Sequence, residues 1–405
     1  MSLHRLTGSF SAEELEALRA DTPGCQGLIH FNNAGAGLMP APVLEAAQAH
    51  LRLEAEVGGY EAAAGRSDAI AAFYDVTAQM LGCRPENIAH TANATDAYSR
   101  ALSAIPFEPG DVLVTTRNDY ISNQIAFLSL HRRLGVEIVH APDVPEGGVD
   151  VAELEMIVRK RRPRLVAVTH IPTNSGLVQP IEEIGPICRE NGVLYLVDAC
   201  QSVGQRVLET ERICCDFLTA THRKYLRGAR GSGFLYVSDE ALSAGLEPLF
   251  IDMQGARWTA GDRYEPAKSA RRFEDWEFPY ALLLASAEAT RYALAVGVKR
   301  AQDRCSILAA RLRARLEHHG LRILDRGAEL GALVTAEIPG WQPEPFKRAL
   351  DATGVNSSLS YFENARYDFG DKRVDWCLRL SPHYYNTEQE VDRVVELIND
   401  LAAKS

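Results

Sequence analysis

The chain has 405 residues, 46% of them hydrophobic and 24% charged, with a net charge of −11; this length allows two or three lobes of ordinary globular composition. The acidic balance excludes nucleic acid as the main partner, because a phosphate-backbone binder needs a positive surface. No run approaches the roughly 18 uncharged apolar residues of a membrane span, and the opening MSLHRLTGSFSAEELEAL has no apolar heart between a basic start and a cleavage site, so a cytoplasmic chain without a membrane partner is expected. In chain order, Ser11 with Glu14 three residues on marks a capped helix over 11–19. From residue 111 apolar, β-branched strands alternate with amphipathic helices: strand 111–116, helix 122–134, strand 136–140, helix 151–160, strand 164–170, helix 180–191, strand 193–199, then short strands at 216–221 and 233–237. The alternation predicts a mostly parallel sheet covered on both faces. After about residue 265 two long helices follow, 280–297 and 299–319, then a strand at 333–338, a helix at 345–353, a strand at 374–381 and a closing helix at 387–403. These suit a smaller α+β lobe. The expected division is a large domain over 26–270 and a small one built from 1–25 and 271–405.

The eight cysteines are scattered, with no CxxC pair and no His/Cys ligand spacing, so no metal site is expected. In open α/β sheets ligands sit at the carboxyl ends of the strands, and three groups of residues fall there. Asp198 ends the apolar run VLYLVDA (193–199). A lone carboxylate at a buried strand end needs a partner; it serves as an N-cap or turn residue, or as the counter-ion of a heterocyclic cation. Lys224 follows the strand at 216–221 and precedes the glycine-rich turn 228–233, a place where burial can lower an amine's pKa and make it a nucleophile. Thr221 and His222 beside it can donate to a phosphate. Asn93 and Thr95, in TANATDA (91–97), are natural N-caps whose following amides form an anion-binding helix terminus.

In this order the motifs resemble the class V aminotransferase family of fold-type I enzymes that use pyridoxal 5′-phosphate (PLP), the group with cysteine desulfurases and isopenicillin-N-epimerase-like proteins. FNNAG (31–35) resembles the motif near the substrate carboxylate, which gives Asn33 and Ala34; NAT (93–95) resembles the phosphate cup, which gives Asn93, Ala94 and Thr95. DYISN (119–123) resembles the segment whose ring covers the pyridine, implying Tyr120, and THIPTNSG (169–176) the segment that contacts the cofactor hydroxyl, implying Asn174. VDACQSVG (197–204) implies Asp198 at the pyridine nitrogen and Gln201 beside it; THRKYL (221–226) implies a Schiff base on Lys224, with Thr221 and His222 at the phosphate. LRLSPHYYNTEQE (378–390) implies Arg379 on the substrate carboxylate. The resemblance runs over nearly the whole chain. It implies a large domain with a mainly parallel seven-stranded sheet, a smaller α+β C-terminal domain, a homodimer with sites at the interface, and an amino-acid substrate.

Three stretches depart from the desulfurase pattern. The segment GVNSSLSYFENARYDF (354–369) has no cysteine where desulfurases carry their persulfide-forming one; Cys377 and Cys305 fall in a strand and a helix. RRFEDWEF (271–278) places Asp275, Trp276 and Glu277 where a small hydroxyl residue is usual. GGYEAA (58–63) places Tyr60, as a substrate-site residue, where desulfurases carry a histidine. The expected activity is therefore aminotransferase or C–S β-elimination lyase chemistry at Cα and Cβ of a small amino acid, with epimerase or desulfurase-like activity as the alternative. A nicotinamide dehydrogenase is disfavoured, since GARGSG (228–233) has the wrong glycine spacing and leads into a strand. A non-catalytic PLP-fold binding protein is disfavoured by the retained Lys224 and Asp198.

Overall fold

A computed structural model describes residues 10–403; the first nine residues of the stretch assigned to the small domain lie outside the described residues. The centre is a seven-stranded sheet of β1 (Ile88–Thr91), β2 (Val112–Thr116), β3 (Glu137–Ala141), β4 (Leu165–Thr169), β5 (Leu194–Asp198), β6 (Phe217–Thr221) and β7 (Gly233–Val237). Their spatial order is β1-β7-β6-β5-β4-β2-β3. β7 alone runs against its neighbours, being antiparallel to β1 and β6, while the pairs among β2 to β6 are all parallel. Every residue of β2, β4, β6 and β7 is buried, as expected for strands sandwiched between helical layers. Two apolar clusters, one on each face, hold the sheet: Phe73, Val114, Val166, Val197 and Leu218 belong to one, Leu113, Phe127, Leu165, Leu196 and Phe217 to the other.

The smaller lobe packs Val334–Ala336, Ser358–Tyr361 and Trp376–Leu380 as an antiparallel three-stranded sheet beneath the helices Val298–His318 and Glu388–Ala402. The N-terminal helix Ala12–Ala20 has the expected capping box between Ser11 and Glu14, and Phe10, Leu18 and Cys25 pack on the small-lobe core.

The expected border at residue 270 differs from the packing. Helix Tyr280–Val296 lies on helices Ala41–Val57 and Ser67–Leu81, and its Leu283, Ala287 and Ala293 join the large-lobe core. The chain crosses at Gly297, where it bends by 78°; its φ of +91° suits a residue without Cβ. Residues 29–30, assigned to the large domain, pair in parallel with Val355–Asn356 of the small one. Sequence texture changes where the helix spacing changes, whereas the border follows which core a helix face enters. Among the described residues no single helix is long and apolar enough to cross a membrane.

Glu274, just before Tyr280–Val296, is 1% exposed. Its Oε1 accepts from His90 N and Tyr74 Oη, both at 2.8 Å. Burial pushes its carboxyl up to about 7. The folded state thus holds this proton more tightly than the unfolded chain. The stability it contributes is full below the unfolded value near 4.3 and is lost as pH rises through about 7, on the order of 3 kcal/mol in all. Glu274→Gln keeps the neutral shape, so its urea midpoint should fall less than that of the unsubstituted protein between about pH 5 and 8. Parallel pH profiles for the two proteins would refute this assignment.

Candidate active site

The carboxyl ends of β4, β5 and β6, with the residues after β1 and β2 and those just before β7, converge on one cavity of about 270 Å³. Because β7 is antiparallel, its amino end lies at this same edge. Each wall has a local cause. After β1, Asn93 caps helix Ala94–Ala104 by accepting from Asp96 N at 3.0 Å. The amides of Ala94 and Thr95 are left as first-turn donors facing the cavity, the arrangement that binds an anion. A Cβ on Gly233 would stand 2.7 Å from Ala220 O and 2.8 Å from the Asn93 carbonyl carbon. Glycine there lets β7 press against the cup.

At the end of β5, Asp198 accepts from Cys200 N at 2.9 Å and from Asn123 Nδ2 at 3.1 Å. Asn123 also reaches Asp119 Oδ1 at 3.1 Å, which in turn takes bonds from Tyr120 N and Thr169 Oγ1. Burial pushes the Asp119 carboxyl up. A lattice of donors therefore holds Asp198 in place at the cavity floor. Among the described lining residues Asp198 is the single acid.

Lys224 is buried and lines the cavity, and its Nζ has neither a hydrogen bond nor an ion pair among the described residues. Burial lowers its pKa, a pull that the Cys200 and Asp198 charges oppose. Arg379 is likewise buried without an acidic partner. Its Nη1 donates to Thr173 Oγ1 at 2.7 Å and Thr173 O at 3.0 Å, its Nη2 to Asn32 Oδ1 at 3.3 Å, and its Nε to nothing. Burial lowers its pKa. An unneutralised buried guanidinium marks a place for an anion.

The structure brings Asn93, Ala94, Thr95, Tyr120, Asp198, Gln201, Thr221 and Lys224 to the cavity wall. Gln201 Nε2 donates to Ala34 O and Thr173 Oγ1. Asn33 and Ala34 stand behind it: Asn33 is locked between Ser381 O and Tyr385 Oη, and Ala34 N is held by Ser381 Oγ. From that segment it is Asn32 that reaches Arg379.

Three of the expected residues do not line this cavity. Asn174 turns away, donating to Asn118 Oδ1 and Asp368 Oδ2, each at 2.9 Å; its neighbour Thr173 lines the cavity instead. His222 points into the apolar layer between Phe73 and Phe234, with Nδ1 at 3.2 Å from Ser232 Oγ. Burial drops its pKa to about 4, so it is no cationic phosphate donor. β6 ends at Thr221 and the chain turns after it, so that Thr221, Arg223 and Lys224 take the cavity side. Tyr60 is 74% exposed on the helix Gly59–Ala64 and does not line the cavity. The sequence reading also passed over Asn123, Thr173, Arg223 and Arg230. Nothing local separates His222 from Arg223 in the turn after β6, or Thr173 from Asn174.

The profile of the family Aminotransferase class-V matches residues 29–394, and the chain belongs to this family. It is 25% identical over 402 residues to a probable cysteine desulfurase of Pyrococcus abyssi, covering 95% of this chain and 97% of that protein. It is 27% identical over 353 residues to isopenicillin N epimerase of Amycolatopsis lactamdurans, covering 80% and 83%. Its fold superposes on the apo cysteine desulfurase of Thermococcus onnurineus with a TM-score of 0.87 at 23% identity, covering 100% of each chain. The protein is a PLP-dependent enzyme. The donors fit that group: a helix terminus for the phosphate, a buried carboxylate for the ring nitrogen and an unpaired lysine for the aldehyde carbon.

Proposed function

We propose that the protein removes the α-proton of a small amino acid and expels a β-substituent, as a C–S lyase. The observation that carries this reading is Lys224, the single amine at the cavity wall among the described residues, unpaired and shifted toward its neutral form by burial. When bound, PLP supplies an electron sink conjugated with the substrate's α-carbon. Asp198 holds a proton on the ring nitrogen. Arg379 takes the substrate carboxylate in a two-pronged grip. Lys224 Nζ, once displaced, accepts the Cα proton as general base.

The segment 354–369 offers Ser357 and Ser358 but no thiol, and Cys377 and Cys305 are fully buried. No cysteine in that segment is available to accept sulfur, which favours direct elimination over persulfide transfer. Transamination begins with the same proton removal, so products decide. Incubated with L-cysteine and L-alanine, the holoenzyme should release pyruvate and sulfide from the first and leave the second without keto acid. Keto acid from alanine, with an amine-bearing cofactor left behind, would establish an aminotransferase instead. Inversion at Cα without loss of any group would establish an epimerase.

The working form we propose is a homodimer. Phe250, Met253, Trp258 and Trp276 are large apolar side chains left half or more exposed along 249–276, more than a monomer surface usually carries in one stretch. Light scattering should return about twice the 44.5 kDa chain mass; a single-chain mass at micromolar concentration would refute it.

A further inference from the structure

The segment 173–176 follows β4 in the large lobe, yet three small-lobe side chains grip it. Arg379 Nη1 donates to Thr173 O at 3.0 Å and to Thr173 Oγ1 at 2.7 Å. Asp368 Oδ2 accepts from Asn174 Nδ2 at 2.9 Å, and Asp325 Oδ1 accepts from Gly176 N at 2.9 Å. Asp368 sits on the helix Arg366–Lys372, whose Phe369 packs with Cys377 in a buried cluster. Cys377 shares the strand Trp376–Leu380 with Arg379. One short helix therefore touches both sides of the Arg379–Thr173 contact: the strand that carries the arginine and the residue next to the threonine. Lys372 Nζ meets the Asp368 carboxylate at 2.7 Å, with 11% of the Asp368 side chain and 4% of the Lys372 side chain exposed. A buried ion pair adds little stability over an apolar pair of similar volume, so stability does not account for its place here. The same Oδ2 takes the Lys372 and Asn174 bonds, which makes the lysine a support for that acceptor.

Thr173 decides which edge of the Arg379 guanidinium is free. Nη1 is spent on the threonine. Nε has no partner, and Nη2 has one long bond, at 3.3 Å to Asn32 Oδ1. The Nε–Nη2 edge is left for a carboxylate, which accepts two parallel N–H bonds from such a fork. We propose that Asp368 is a positioning residue for substrate binding: through Asn174 it sets Thr173, and Thr173 orients the free edge of Arg379 for the substrate carboxylate. This assignment rests on the reading of Arg379 as the group that holds the carboxylate, and it adds the small-lobe helix that aims it.

The test uses a carboxylate that lacks an amine and cannot react. Propionate is titrated into the holoenzyme, and binding is read by calorimetry and by the visible band of the bound cofactor. Asn174→Ala cuts the link and keeps the ion pair. It should weaken propionate binding roughly fivefold to twentyfold while PLP affinity stays within about twofold. Asp368→Asn keeps an acceptor oxygen for Asn174 but takes the counter-charge from Lys372. It should lower the melting temperature and hold propionate affinity within about twofold. Asp368→Ala should lose both. Asn174→Ala and Thr173→Val act on one contact, so their costs should not add. Because Asn174→Ala leaves the buried pair intact, misfolding of Asp368→Ala does not spare the idea. Unchanged propionate affinity in Asn174→Ala overturns it. So does a loss of PLP affinity in that variant, which would return Asn174 to the cofactor. So does an Asp368→Asn protein as weak as Asp368→Ala, since affinity would then follow stability. Failure of the underlying reading has a different signature: Arg379→Ala then binds propionate as well as the unsubstituted protein.

Discussion

Lys224→Ala is expected to yield a folded protein that binds PLP without a covalent link and turns over substrate at least about 10³-fold more slowly. Two functions fall together on this one amine: attachment of the cofactor and transport of the α-proton. No neighbouring base stands ready to replace it. The Cys200 thiol at the same wall is pushed up by burial and by the Asp198 charge, and Asp198 is held by Asn123 and Cys200 N at the cavity floor. Stability should not suffer. Lys224 is 7% exposed and unpaired, so alanine removes a group whose charged form is costly to bury, and the melting temperature should hold or rise. Sodium borohydride followed by mass spectrometry of the digest checks the link. An adduct of PLP mass on residues around 224 is expected in the unsubstituted protein and absent in the variant. An adduct that persists elsewhere in the variant would displace Lys224 as the anchor. The sign of the burial effect also fixes the pH profile. A lowered amine pKa means that activity governed by the free base rises with pH below the ordinary lysine range near 10.4, rather than continuing to climb toward it.

Six of the seven central strands were legible, most of them as short buried runs of β-branched and apolar residues bounded by turn chemistry, such as VLVTT (112–116) and LVAVT (165–169), whereas β1, only four residues long (Ile88–Thr91), was not read. Their ends place Asp198 and Lys224 at the cavity. What else failed was finer than an element. Thr173 and Asn174 are adjacent, and both can donate to a cofactor. Which one turns inward depends on Asp368, a residue 194 positions away that captures the Asn174 amide. His222 looked like a phosphate ligand because histidine suits one, yet the turn after β6 sends it under Phe73 while Arg223 lines the cavity. The lobe border was misplaced for a related reason. Leu283, Ala287 and Ala293 are apolar in either lobe, and only the facing helices decide which core receives them. Local chemistry therefore identified the reactive strand ends, and long-range packing chose among neighbours of similar chemistry.

Asp198→Asn is expected to lower kcat/KM by roughly 10²- to 10³-fold while leaving the cofactor bound and linked. The substitution preserves size, and Lys224 and the cup at Ala94 and Thr95 are untouched. What disappears is the one negative charge among the described lining residues, and with it the reason for the ring nitrogen to keep its proton at neutral pH. The isostere adds a second penalty. Asp198 accepts at both oxygens, from Asn123 Nδ2 and from Cys200 N, whereas an amide must turn its NH₂ toward one of these donors and leave it unpaired. A charge role and a packing role make different forecasts for Asn123→Ala. That change loosens Asp198 without discharging it, so its kinetic loss should stay near tenfold. The deciding measurement pairs Asp198→Ala with a PLP analogue methylated on the ring nitrogen, which carries its positive charge permanently. If the carboxylate matters through charge, the analogue restores much of the lost rate in Asp198→Ala, where truncation has made room for the methyl group. If the rate stays low although the analogue binds, the carboxylate acts by positioning the ring, and the electrostatic assignment of Asp198 fails.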